Sequence, residues 1–189
     1  MRIAVYPGSF DPLHKGHQAI LEYLTREGGF DCTYLIVSPQ NPFKDPSKAE
    51  NAKHRYEAAV EALSRHPELK ARADDIELGM DPPNYTIRTL DALRAREPQN
   101  EFTLAIGADN IGGLPRWRCV RRILSEYDTV VYPRPGYDAG KLMAEFRDYC
   151  RSRHVRFSLT LINAPMVDIS STQIRNALAG GADVSEFLM

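Results

Sequence analysis

The sequence predicts a three-layer α/β domain, a doubly wound parallel sheet with helices on both faces. Three observations predict it. Short β-prone runs alternate along the chain with segments of helical spacing. The run Tyr34-Leu35-Ile36-Val37 is apolar throughout, as a strand covered on both faces must be. The first run, Ile3 to Tyr6, breaks at Pro7-Gly8-Ser9 just before a helix, and ligands of such sheets sit at junctions of this kind, at the carboxyl ends of strands.

Taken in order, the first strand holds Ile3, Val5 and Tyr6, and the helix after it carries Ile20, Tyr23 and Leu24 on one side until Gly28-Gly29. Tyr34 to Val37 is the second strand. Residues 49 to 64 read as a helix through Tyr56, Ala59, Val60 and Leu63, and Ile76 to Met80 as the third strand. Thr86 to Arg96 is helical, with Thr86 as its cap and Ile87, Leu90 and Leu93 on one face. Phe102 to Ile106, Thr129 to Tyr132 and Phe157 to Ile162 complete six strands. A long helix covers Tyr137 to Arg153, and a last one Ser171 to Ala179 turns Ile174 and Leu178 inward. No repeat or linker interrupts the pattern, so residues 1–189 read as a single domain.

Composition narrows the function. The chain is 43% hydrophobic and 26% charged with a net charge of -1, so there is no basic field to hold a nucleic-acid polymer. No run approaches the ~20 apolar residues of a membrane span, and a cytoplasmic protein is expected. Cys32, Cys119 and Cys150 are odd in number and lack CxxC spacing, so they read as small core or boundary residues.

The strand-to-helix turn at Gly8 leaves unpaired N–H groups at a positively polarised helix end, where a phosphate can approach glycine closely. His14 and His17 flank it, reading as exposed loop residues. Imidazoles that titrate near neutrality and donate to phosphoryl oxygen suggest chemistry on a phosphate. Zinc needs three or four protein ligands, and His54, His66 and His154 are scattered, which leaves a metal pair as the lesser reading. Ser170, Ser171 and Thr172 stand at the start of the last helix with Arg175 one turn inside; one hydroxyl explains capping, and three make a phosphate cradle.

Gly8-Ser9-Phe10-Asp11-Pro12-Leu13-His14-Lys15-Gly16-His17 resembles the G-[ST]-F-D-P-x-H-x-G-H signature of nucleotidyltransferases that move an adenylyl group from ATP. Ile169-Ser170-Ser171-Thr172-Gln173-Ile174-Arg175 resembles the second signature of that superfamily. The chain is further similar to nicotinate-nucleotide adenylyltransferases through the loop Asn41-Pro42-Phe43-Lys44, the segment Asn84-Tyr85-Thr86, Ile106-Gly107-Ala108-Asp109 and Trp117. Two departures are plain: Phe43 stands where that family has histidine, and Asn84 replaces serine.

The resemblance implies a dinucleotide-binding, Rossmann-like nucleotidyltransferase fold and direct transfer of the adenylyl group to nicotinate mononucleotide. It implies catalytic roles for His14, His17, Lys44 and Arg175. It assigns ATP to Gly8, Ser9, Phe10, Gly16, Gly107, Asp109, Ser170, Ser171 and Thr172, and the acceptor nucleotide to Asn41, Tyr85, Thr86 and Trp117; Arg134, just after the fifth strand, is placed for the acceptor's phosphate. Mg²⁺ would be carried by ATP with no dedicated protein site. Arg116, Arg118, Arg121 and Arg122 around Trp117 fit either a wet ligand site or a solvated helix face. Pantetheine-phosphate and nicotinamide-mononucleotide adenylyltransferases are the alternatives, together with a regulatory protein that binds nucleotide without turnover; a homo-oligomer is left open.

Overall fold

The computed structural model describes residues 1–39 and 52–189. Among these residues six strands form one sheet: β1 (Arg2–Gly8), β2 (Cys32–Val37), β3 (Ala71–Asp74), β4 (Glu101–Gly107), β5 (Asp128–Tyr132) and β6 (Leu159–Leu161). Their order is β3-β2-β1-β4-β5-β6 and every pairing is parallel. The expected doubly wound parallel sheet is therefore present, with its switch point between β1 and β4.

That switch point is also where the sheet opens. β1 stays paired with β2 to the end, Gly8 opposite Val37, but its pairing with β4 runs only from Arg2–Glu101 to Val5–Leu104. Both strands continue to Gly8 and Gly107, so their carboxyl ends part and leave a crevice.

Among the described residues six α-helices cover the sheet: α1 (Lys15–Arg26), α2 (Ala52–Ser64), α3 (Thr86–Arg96), α4 (Val120–Glu126), α5 (Ala139–Ser152) and α6 (Ser171–Ala179). On one face Ala4, Tyr6 and Leu35 pack against Ile20, Leu21 and Leu24 of α1 and Ala59 and Leu63 of α2. On the other, Val5, Ile36 and Leu104 meet Ile87 and Leu90 of α3, Leu124 of α4 and Phe146 of α5. Two separate cores follow from strands whose alternate residues are apolar on both sides.

The third strand lies earlier than the sequence suggests. Ile76–Gly79 is a 3-10 turn, and the strand is Ala71–Asp74. β3 is an edge strand that needs only backbone pairing with β2, so weak β-formers suffice. Asp74 ends it: Oδ1 accepts from Ile76 N–H at 3.1 Å, and the buried carboxylate also takes Arg96. α4 gives no helical signal in the sequence because its seven residues scarcely show a period. Leu178 and Val60 were expected inward but are 51% and 44% exposed, and Cys119 is exposed at a left-handed φ of 55° rather than a core or boundary residue. Thr86 is the first helical residue of α3, not its cap; Tyr85 takes the cap position and supplies no side-chain bond.

Arg55 of α2 ties two strand ends together. Buried to 8% exposure, it donates to the carbonyls of Ser9 at 2.5 Å, Ser38 at 3.0 Å and Pro39 at 3.3 Å. Arg55→Met removes those donors and leaves carbonyls unsatisfied. We expect a loss of about 2–3 kcal/mol, a fall in Tm of roughly 5–10 °C in thermal melts. An unchanged Tm would show that these bonds are replaceable by water.

Candidate active site

The crevice between Gly8 and Gly107 is a cleft of about 740 Å³. Its walls bring together most of the residues singled out from sequence: Gly8, Ser9, Phe10, His14 and His17 from the first turn, Ser170, Ser171, Thr172 and Arg175 from the last helix. Gly107, Asp109, Tyr85, Thr86, Trp117 and Arg134 line it as well. Gly16 serves indirectly, and Asn41 and Lys44 lie outside the described residues.

The two ends of the chain are joined here. Ser171 Oγ donates to the Pro12 carbonyl at 3.2 Å, and Arg175 donates to the Asp11 carbonyl at 2.6 Å with the Asp11 carboxylate 3.6 Å away. A second nitrogen of Arg175 donates to Thr172 Oγ1 at 3.0 Å. Ser170 caps α6, accepting from Gln173 N–H at 3.2 Å. A third contact supports the junction: a Cβ on Gly16 would lie 3.3 Å from Ile169 Cγ2 and 2.9 Å from His14 Cε1, so glycine lets the histidine ring and the second signature close over the helix start.

His14 and His17 are not exposed loop residues; they retain 1% and 8% exposure. Together they cap α1. His14 Nδ1 accepts from Gly16 N–H at 3.1 Å and His17 Nδ1 accepts from His14 N–H at 3.2 Å. An imidazole whose Nδ1 accepts is neutral with its proton on Nε2, so each ring has an Nε2–H left to donate. The ring centroids lie 3.8 Å apart with the planes tilted by 34°, and His17 rests against Phe10 at 5.2 Å. Burial chiefly, with Arg134 nearby, lowers His14 to about 4; burial, then His14 and Arg134, push His17 well below its ordinary value. Both rings are thus neutral donors at pH 7, not groups titrating near neutrality as the sequence suggested.

Unfolded His14 takes up its proton near pH 6.5, whereas folded His14 waits until about 4. The stabilisation is complete above 6.5 and is lost as pH falls toward 4, on the order of 3 kcal/mol over the window. Melts from pH 7.5 to 4.5 should show this slope in the wild type and a shallower one in His14→Asn. Parallel slopes would contradict it.

The first turn is tightly made. Phe10 adopts a left-handed φ of 46°, and its ring lies so close that a Cβ on Gly8 would be 2.8 Å from Phe10 Cζ. At the opposite lip, a Cβ on Gly107 would overlap the Asp109 carboxylate and lie 3.0 Å from Arg134 Cγ. Arg134 Nε and Asp109 Oδ1 form an ion pair of 3.5 Å at that lip. Trp117 is half-buried against the core yet lines the cleft, with Arg116 and Arg118 beside it. Arg122 belongs to the solvated face, held by Asp91 and Glu126.

Sequence reasoning missed Ser38, Glu77 and Asn84, all of which line the cleft. Asn84, standing where the resembled family has serine, is buried and donates to the Glu77 carbonyl at 2.9 Å. Glu77 sits in a run that reads as a strand, which hid it. Among the described residues no group of three or more His, Cys, Asp or Glu could hold a metal ion.

A parallel sheet that opens at its switch point onto neutral imidazoles, a hydroxyl-rich helix start and several arginines defines a nucleotide-binding domain of the nucleotidyltransferase class. The cytidylyltransferase-like family model matches residues 5–177. Relatives named "Probable nicotinate-nucleotide adenylyltransferase" match nearly end to end: one from Bacteroides fragilis at 35% identity over 99% of this chain and 87% of that protein, one from Cytophaga hutchinsonii at 34% over 93% and 85%. The chain belongs to the cytidylyltransferase-like family and, within it, to the nicotinate-nucleotide adenylyltransferases. The fold agrees: a Plasmodium falciparum nicotinic acid mononucleotide adenylyltransferase complexed with NaAD superposes with a TM-score of 0.75, covering 99% of this chain and 90% of that one at 18% identity. The resemblance drawn from the two signatures is borne out.

Proposed function

We propose that the chain transfers the adenylyl group of ATP to nicotinate mononucleotide, releasing pyrophosphate and forming nicotinate adenine dinucleotide. One observation carries the reading: the histidine turn and the hydroxyl turn, 159 positions apart in sequence, are hydrogen-bonded to one another at the rim of one cleft. Relatives of that name across the full length support the choice of acceptor.

The chemistry follows from the donors. The acceptor phosphate is already ionised at pH 7, so no general base is needed, and no side chain must form a covalent intermediate. It attacks the α-phosphate in line while pyrophosphate leaves on the far side. His14 and His17 donate from Nε2 to oxygens whose charge rises in the transition state; being neutral and buried, they act as fixed dipoles that need not reorganise. Ser170, Ser171, Thr172 and Arg175 hold the β- and γ-phosphates at the start of α6. Gly107 and Asp109 bind the adenosine, Arg134 the acceptor phosphate, and Tyr85, Thr86 and Trp117 the pyridine ring. Mg²⁺ enters with ATP as part of the substrate. The roles of Asn41 on the acceptor and of Lys44 in catalysis rest on the family resemblance.

The 189 residues are read as one catalytic domain in the cytoplasm, a reading supported by one sheet spanning Arg2 to Leu161 and by the cysteine usage. Pyrophosphate release, assayed with nicotinate mononucleotide, nicotinamide mononucleotide and phosphopantetheine in turn, tests the proposal. Fastest turnover with the first is expected. Preference for either of the others would reassign the acceptor, and nucleotide binding without release would make the chain a regulator.

A further inference from the structure

The segment that follows α6 returns to the histidine turn. The chain reverses at Gly181, whose φ is 78°, with Ala182 N–H donating back to the Ala177 carbonyl at 3.0 Å. Asp183 Oδ1 then accepts from Ser185 N–H at 2.9 Å, Val184 is buried, and Ser185–Phe187 make a 3-10 turn. Leu188, the next residue, forms an isolated antiparallel bridge with His14. Both partners are extended, as such pairing requires: His14 at φ -147° and ψ 170°, Leu188 at φ -76° and ψ 159°. Met189 packs against the core that contains Leu13, Ile20 and Leu21, and its carbonyl accepts from Arg65 at 3.0 Å.

His14 needs such a hold. It stands one residue before α1, where no bond of the helical ladder fixes the backbone. Its ring must accept from Gly16 N–H on Nδ1 and present Nε2–H to the cleft, and a swing of the backbone would spoil both. The Ser171–Pro12 bond ties the start of α6 to this turn, and the segment beyond the end of α6 ties back to His14.

We propose that Leu188 is a positioning residue for the transfer step: by pairing with the His14 backbone it keeps Nε2–H aimed at the α-phosphate. The inference rests on the adenylyl-transfer reading above. A misplacement of about 1 Å at a reacting centre costs about 10²-fold in rate, so this pairing matters more to kcat than to folding. Substrate binding is spared, because the outer phosphates rest on Ser170 to Thr172 and Arg175.

The test deletes Leu188 and Met189, which keeps Val184 and the 3-10 turn, and makes the same deletion in a His14→Ala background. In the otherwise native chain we expect kcat to fall about tenfold or more, with both KM values within about twofold. In the His14→Ala background the deletion should change kcat by less than about twofold, because the ring that it positions is gone. Equal losses in the two backgrounds overturn the inference. If the deletion variant does not fold, Arg65→Ala gives the same comparison, since it releases Met189 from an exposed side chain; about a threefold loss of kcat is expected, again only where His14 is present. The ¹⁵N shifts of the His14 ring at pH 7 supply a readout that needs no turnover. Wild type should show one neutral form protonated on Nε2, and the deletion variant an average of the two tautomers. Unchanged ring shifts in the deletion variant would also overturn the inference. Absence of wild-type turnover would defeat the adenylyl-transfer reading, and the ring shifts would still decide whether Leu188 positions His14.

Discussion

His17→Ala lowers kcat by about 10²- to 10³-fold, the usual effect of removing one preorganised donor from a developing oxyanion. The loss concerns chemistry more than folding. His17 gives its Nδ1 to the His14 N–H and keeps Nε2–H for the phosphate, so alanine deletes both a helix-cap bond and the donor. The cap is worth about 1 kcal/mol, a few degrees of Tm for a chain of this size. A folded variant with kcat within a few-fold of the wild type would remove the imidazoles from the mechanism. Because both rings are held neutral, kcat should not show an imidazole titration between pH 6 and 8.

Arg175→Ala should lower kcat/KM for ATP by roughly 10²-fold, mostly through KM, because charge-assisted bonds to phosphate are lost. Arg175→Lys should recover little of this. The guanidinium spans the Asp11 carbonyl and Thr172 Oγ1 with two nitrogens, a fork that a single ammonium cannot reproduce. Equal effects on ATP and acceptor KM would mean that Arg175 only braces the first turn. Steady-state kinetics with each substrate varied decides between these outcomes.

Much of this was legible in the sequence because the informative features are local. Gly8 to His17 and Ile169 to Arg175 each build a turn and a helix start from consecutive residues, and the strand-helix alternation follows from apolar spacing. What escaped was set by tertiary context. Ile76 to Met80 has a strand's composition, but Asp74 turns the chain early by bonding both the Ile76 N–H and Arg96, and Arg96 lies 22 residues away. The histidines looked exposed because the turn that carries them is polar in sequence. It becomes buried only when Phe10 and the helix at Ser171 close around it. Glu77 has no motif to mark it, and Asn84 is marked only as a departure from the resembled segment: their relation to the cleft comes from the packing of the 3-10 turn against α3. Leu178 was read inward from spacing alone, yet only Ile174 of α6 is buried.

The central claim is that one triphosphate lies between the two turns that meet at Pro12 and Ser171. A crystal structure of the protein with a non-hydrolysable ATP analogue and nicotinate mononucleotide tests it most directly. The account predicts the α-phosphate within hydrogen-bond reach of Nε2 of His14 and His17, and the outer phosphates on Ser170 to Thr172 and Arg175. Phosphates bound away from either turn would contradict it.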